Sequence, residues 1–398
     1  MPRRIAAVWL LALLVAGCSP TKMINGWFSS SKEEPPARLE PFEPEVTLRE
    51  RWSHRVGEGQ GELYNRLVPA VYGNQIYAAD DRGLVVSYDR FSGEEMWRVK
   101  LDRPVSGGVG AGYGLVLVGT LDGLVVALDA GSGTEKWRAQ TRNEILAPPA
   151  INGDIVLVQA SNDDLVALDA EDGVRRWSYD SAPAVLTLRG TSAPLLTGQL
   201  AIAGLSTGKV IALDTRRGLP VWEQPVAIPK GRSELERVVD IDGGLLLSGG
   251  TLYTVSYQGK VVALELESGR PLWQHDASSY TGVAQGYGSV YLALDNGTVQ
   301  GIDERSTRVL WSNTALARRQ LSAPVTYSSY VVVGDLEGYL HLLSQIDGRF
   351  VGRVEVNASG WKIGATSGVR VQPLVEGDWL YAFGNNGDLV AFTRTGED

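Results

Sequence analysis

At 398 residues the chain has room for two average domains or one large all-β domain. Its formal charge of −9, without any block of basic residues, speaks against nucleic acid as a partner. A single cysteine excludes intrachain disulfides and any cysteine-cluster metal site.

The chain begins MPRRIAAVWLLALLVAGCS. Two arginines precede an apolar run from Ile5 to Ala16, too short to cross a bilayer and suited to the core of a signal peptide. The run ends Leu14-Val15-Ala16-Gly17-Cys18, small residues before the sole cysteine, which is the pattern of a lipobox. Residues 1–17 then form a lipoprotein signal peptide, and Cys18 becomes the acylated N terminus, with the several chains that stable membrane attachment needs. The competing expectation is a soluble secreted protein cut near Ala16, with Cys18 a bystander. Ser19 stands where an Asp would favour the inner membrane. By resemblance to bacterial lipoproteins, this implies a lipid anchor in the outer membrane of a Gram-negative cell, on its periplasmic side. Residues 18–47 are rich in Pro, Ser and Glu and show no amphipathic period, which describes a flexible tether. Fully extended, such a segment reaches at most roughly 100 Å.

Beyond the tether one unit recurs. GLVVALDAGSGTEKW (123–137) has counterparts at Gly83…Trp97, Asp163…Trp177, Gly208…Trp222, Gly259…Trp273 and Gly297…Trp311, and a decayed copy at Gly338…Gly352. First and last residues are always fourteen apart. An acidic residue lies six along in most copies (Asp89, Asp129, Asp169, Asp214, Glu265, Asp303), and a Gly ten along. The β-branched run reads as a buried strand, the D-x-x-x-G as a turn, and the Trp as a packing element on the returning strand. Upstream of each unit lies another strand pair, such as LAPPAINGDIVLVQAS with Asn152-Gly153-Asp154 as its turn. Four short strands at a period of about 40–45 residues make a β-propeller blade.

The count closes. An eighth copy begins at Gly387, but the chain stops at Asp398 before any Trp, and the missing strand is found at the other end as RERWSHR, with Trp52 in the Trp position. The fold expected is all-β: an eight-bladed propeller over residues 48–398, with four-stranded antiparallel blades and the N-terminal strand completing the last one. Trp52, Trp97, Trp137, Trp177, Trp222, Trp273 and Trp311 are its blade-docking residues. A solenoid would need polar capping repeats, and neither end shows one.

Little in the sequence calls for catalysis. His54 and His275 each fall two residues after a repeat Trp in different blades, and His341 replaces a strand Val, so all three read as variants at repeat positions. No Ser/His/Asp arrangement or metal-ligand spacing follows. GGVGAGYG (107–114) matches neither phosphate-loop pattern and aligns with the turns between first and second strands of other copies. The motif A-x-D-x-x-x-G-x-x-x-W (Ala127, Asp129, Gly133, Trp137) resembles the tryptophan-docking motif of quinoprotein dehydrogenases, which are also eight-bladed. There the motif locks blades together. The adjacent cysteines and long catalytic insertions of those enzymes have no counterpart here, so the resemblance is architectural. No catalytic residue, metal or cofactor is assigned. A quinoprotein-type enzyme and a ligand-binding periplasmic propeller remain as alternatives.

Since the repeat is rigid, variation sits between one Trp and the next unit. That interval is 24–27 residues after Trp97, Trp137, Trp273 and Trp311, but 31 after Trp177 and 37 after Trp222. It is also enlarged after Gly352 (35) and Trp52 (31). Connections from one blade to the next share a face, so AVLTLRGTSAP (184–194) and KGRSELERVVDIDGG (230–244) fall on adjacent blades of one face. They are either a protein-binding patch or merely decorated loops. The intervals near 353–375 and 53–72 define a second, weaker candidate.

The lipobox, the tether, the docking repeats, L-T-L-R-G-T-S-A-P, E-R-V-V-D-I-D and VVVGDLEGYLHLLSQIDGRF (331–350) together resemble the BamB family, lipoproteins of the outer-membrane β-barrel assembly machinery. The resemblance covers essentially the whole chain. It implies a non-enzymatic scaffold that binds the periplasmic POTRA domains of BamA and assists insertion of nascent barrel proteins. By motif, the contacts would be Leu186, Leu188, Arg189, Asp240 and Asp242. The double Gly after DID departs from family members that lack it.

Overall fold

In the computed structural model, residues 34–182, 184–188, 190–357 and 368–395 are described. The signal peptide 1–17, Cys18 and Arg189 lie outside them. The described residues form 32 strands, numbered β1 to β32 along the chain, in eight separate four-stranded antiparallel sheets. Blades 1 to 7 each take four consecutive strands, beginning at Ala70, Val105, Ala150, Leu195, Leu246, Val283 and Val325. Blade 8 takes its first three strands from the C-terminal end, and its outer strand is β1 (Leu48–Arg55), paired antiparallel with β32 (Asp388–Arg394). First strands of neighbouring blades touch one another and so ring the axis, while the Trp-bearing fourth strands are outermost.

The repeat residues have separate mechanical tasks. Opposite each Trp on the third strand stands a small residue: Ser87, Ala127, Ala167, Ala212, Ala263, Gly301 and Ala391 pair with Trp97, Trp137, Trp177, Trp222, Trp273, Trp311 and Trp52. A register shift accompanies each of these pairs, giving the indole room to lie across its small neighbour. The ring then reaches the next blade. Trp97, Trp137, Trp177 and Trp311 donate their indole N–H to the carbonyls of Ala130, Ala170, Thr215 and Gln345 at 2.7–3.0 Å. Each of these carbonyls belongs to the residue just after the sixth position of the next repeat. The same rings cover the turn glycines: a Cβ on Gly173 would come within 2.5 Å of Trp137, and one on Gly133 within 2.7 Å of Trp97. These glycines also hold φ near +70°, so no other residue fits the turn well. Repeat aspartates accept local N–H groups, as Asp89 does from Phe91 and Ser92, and the bonds from Ser92 and Phe91 hold the Asp89 carboxyl below its usual range.

GGVGAGYG belongs mostly to the first strand of blade 2 (Val105–Gly112), with Tyr113-Gly114 as its turn. Gly110 is required by approach of the next blade, since a Cβ there would lie 2.0 Å from the Pro149 carbonyl oxygen.

Residues 37–47 differ from the expected tether. They lie against blades 6 and 7, with Ala37 N–H donating to Ala317 O and the N–H groups of Glu45 and Val46 both donating to Val351 O. An extended segment bonded to the propeller rather than to itself leaves no period in its own sequence, so composition alone read it as free.

The docks have a measurable weight. Trp137→Ala leaves a cavity between blades 2 and 3 and is expected to cost about 3–5 kcal/mol in urea denaturation. Trp137→Phe, which removes chiefly the bond to Ala170, should cost nearer 1 kcal/mol. Equal losses would show that the hydrogen bond, not the packing, is the lock.

Candidate functional site

The two enlarged connections of blades 3–4 and 4–5 do meet. The Leu188 N–H donates to Asp240 Oδ2, and a Cβ on Gly190 would lie 2.7 Å from the Asp242 carboxylate. Val238, Val239, Asp240, Ile241 and Asp242 are all buried, forming a plug beneath the first loop. Ile241 packs on Gly204 of blade 4, where a Cβ would come within 2.5 Å, so the glycine is the socket for the isoleucine. The outer part of the second loop turns through a short 3-10 helix, Leu235–Arg237. Glu236 folds back on it, accepting the N–H groups of Arg232 and Ser233 at 2.7 and 3.1 Å, in the manner of a capping box.

On this frame apolar side chains face outward. Val185 is 91 % exposed, Ile228 69 %, Leu235 65 % and Leu186 43 %, while Leu188 is half-buried. Of the five residues expected as contacts, Leu186 is on the surface and Leu188 at its edge. Asp240 and Asp242 are buried rather than on the surface, which corrects the expectation that they touch a partner directly: Asp240 Oδ2 holds the first loop through Leu188, and the Asp242 carboxylate lies under Gly190. Arg189 falls outside the described residues. Val185, Ile228 and Leu235 were not singled out from the sequence; their signal was a bulky apolar side chain beside charges in a connection outside the repeat.

The electrostatics under the loops are unusual. Burial pushes Asp240 up to about 7, with the Asp242 charge adding to it, and pushes Asp242 up to about 6 against the pull of Arg66. Asp163, which replaces the first glycine of its repeat and holds φ at +66°, is also raised by burial. It accepts the Ser206 N–H and Oγ–H on the next blade. Three carboxylates thus crowd the joint of blades 3 to 5.

The second pair of enlarged connections meets over the axis. Arg66, on the connection into blade 1, donates Nη1 to Asp242 O at 3.0 Å and Nη2 to Tyr280 O at 2.9 Å, on the far side of the ring. Arg370, on the connection into blade 8, donates to Leu63 O and stacks on Tyr64, which lies between the two guanidinium groups. A cavity of about 150 Å³ remains at this axial mouth. Residues 358–367 of the same connection lie outside the described residues. The histidines do not converge: His54 stacks on Tyr88, His275 sits in blade 5, and His341 is buried in blade 7 with Nε2 2.8 Å from Asp335.

Asp240 and Asp242 hold protons in the folded chain that the unfolded chain has released above about pH 4, so stability falls as pH rises from about 4 to about 7. Asp240→Asn keeps an acceptor for Leu188 without the charge. It should melt with the parent at pH 4 and a few degrees above it at pH 8. A gap that is constant with pH in thermal melts would contradict the raised carboxyl.

Comparison with known proteins gives a consistent picture. A family model described as outer membrane protein assembly factor BamB matches residues 81–313 and 290–398. The chain is 66 % identical over 388 residues to the outer membrane protein assembly factor BamB of Pseudomonas aeruginosa, covering 98 % of both. It is 39 % identical over 408 residues to that of Xanthomonas campestris, again covering 98 % of each. Among solved structures it is similar to BamB from Moraxella catarrhalis, with a TM-score of 0.79 and 27 % identity over 87 % of this chain and all of that one. A quinohemoprotein alcohol dehydrogenase from Pseudomonas putida also superposes, with a TM-score of 0.67 over 88 % of this chain and 77 % of that one. At 13 % identity it shares the fold alone.

Proposed function

Because the chain belongs to the family of the outer membrane protein assembly factor BamB, and so to outer-membrane protein assembly, we propose that it serves there as a non-enzymatic scaffold. The observation that carries this is the joined pair of loops over blades 3 to 5. It presents Val185, Leu186 and Leu235 to solvent on a frame fixed by buried carboxylates. Bulky apolar side chains held rigidly at a surface can bind a folded partner without first being ordered, which keeps the entropic cost of association low.

The partner is a POTRA domain of BamA. Leu186, Leu188 and Arg189 make the contact, with Val185 and Leu235 extending it, and Asp240 and Asp242 act as positioning residues. Cys18 anchors the chain in the outer membrane on its periplasmic side, and the scaffold assists presentation of nascent barrels to the machinery. The quinoprotein motif serves packing: its Asp and Gly are used within the turns, and its Trp in the interblade docks.

Recovery of BamA by the affinity-tagged lipoprotein tests this. Leu186→Glu and Arg189→Glu are each expected to lower recovery at least tenfold while leaving the thermal melt unchanged. Undiminished recovery by both variants would place the partner on another face.

A further inference from the structure

Blade 7 lacks the outer-strand tryptophan that the other blades share. Gly352 holds the Trp position, and the third-strand residue opposite it is Leu342 instead of a small one. The space is filled from elsewhere in the chain. A Cβ on Gly352 would lie 2.8 Å from Val46 O and 3.0 Å from Val46 Cγ1, so Val46 occupies the place that an outer-strand side chain would take.

The contacts around it form a continuous groove. Arg349 grips Glu45 with two parallel bonds, Nε to Oε1 at 3.0 Å and Nη2 to Oε2 at 2.8 Å. Phe42 stacks on Phe350 with ring centroids 5.6 Å apart, and the Arg353 guanidinium lies over both rings. Arg353 Nη1 donates to Glu40 O, and Leu39 packs on the core between blades 6 and 7. At the far end Arg319, buried and paired with Asp335 and Glu337, extends Nη1 to Ala37 O. Four chemistries are thus read in order along one extended segment: backbone carbonyls by Arg319 and Arg353, an aromatic ring by Phe350, a carboxylate by Arg349, and a small apolar side chain above Gly352.

We propose that the outer edge of blades 6 and 7 is a peptide-binding groove for an extended segment carrying an aromatic residue three positions before a carboxylate. Its resident ligand is residues 37–47 of this chain. The bound segment does the work of the missing tryptophan dock at the joint where the ring closes. It also moves the point at which the tether leaves the propeller from Leu48 to Ala37. Ala317 and Arg319, which receive Ala37, belong to the connection between blades 6 and 7, on the face that also carries 184–194 and 230–244. Counted from Ala37, a fully extended stretch back to Cys18 would reach roughly 60 Å from the partner-docking face. This last consequence rests on the scaffold function proposed above; the groove itself does not.

Hydrogen exchange of the full chain, carrying Cys18→Ser to keep it soluble, tests the groove. The amides of Ala37, Glu45 and Val46 should be protected at least a hundredfold relative to an unstructured peptide. Arg349→Glu, at the surface and so compatible with folding, should raise their exchange at least tenfold without changing the 230–244 loop, and Glu45→Arg added to it should restore protection. Gly352→Val should release the same amides by steric block. Unprotected amides in the parent chain, or protection that survives both Gly352→Val and Arg349→Glu, would overturn the proposal. These measurements use the purified chain alone, so they succeed or fail independently of BamA recovery.

Discussion

An indole lying across a glycine turn of the neighbouring blade, with its N–H bonded to that blade's backbone, is the interaction on which the rest of the molecule depends. A four-stranded blade is apolar on both faces and cannot exist alone, so every blade must find two neighbours. The indole supplies area, and its single donor supplies register, because only one carbonyl lies in reach. It imposes three conditions at once: a small residue opposite the Trp, a glycine with positive φ under it, and a carboxylate that shapes the turn. Ala127, Gly173 and Asp169 meet them around Trp137, from two different blades.

A repeat bound by such conditions has little freedom to carry a site. What remains variable is the connection from one blade's outer strand to the next blade's inner strand, and all of these emerge on one face. The enlarged ones fold onto each other in pairs, 184–194 on 238–242 and 370 on 63–66, and Arg66 ties the second pair to the first through Asp242 O. The joined loops and the axial mouth are therefore mechanically one unit. Desolvation raises its buried carboxyls Asp240 and Asp242, so they are neutral at acid pH and become costly buried charges as the pH rises through about 6 to 7.

Much of the architecture was legible in the sequence because it is periodic. The fixed spacing of Gly and Trp located every blade, and the Trp52 copy located the seam between the chain's ends. The connections that join over blades 3 to 5 were legible too, as interruptions of that spacing. Their chemistry was only half legible. Leu186 and Asp240 look alike as charged-and-apolar loop residues, and nothing local distinguishes the exposed leucine from the aspartate beneath it. The difference lies in contacts between segments more than fifty residues apart, such as Leu188 with Asp240. The 37–47 segment was misread for the same reason: Phe42, Glu45 and Val46 have no period among themselves, and their meaning is set by Phe350, Arg349 and Gly352 some 300 residues away. The anomaly that pointed to this place was the loss of Trp at Gly352 together with the large Leu342 opposite, where Val46 packs over the glycine.

Ring closure shows why that third partner is useful. Blade 8 is completed by β1, an edge strand paired with β32 and held to blade 1 by the Trp52 and His54 side chains, and under the anchor proposed above a pull at Leu48 would act to peel this strand away one ladder bond at a time. Peeling is the weak direction of a β-ladder, because the load falls on a single hydrogen bond at the front. With residues 37–47 seated first, a pull from the N terminus acts on Ala37 and runs along the groove. It meets the Arg319, Arg353 and Arg349 contacts and the Phe42 stack before it reaches β1. The same segment covers the joint that has no tryptophan, so the least securely docked blade and the most exposed strand are protected together. Under the Cys18 anchor proposed above, the load would arrive at the blade whose outer strand comes from the other end of the chain.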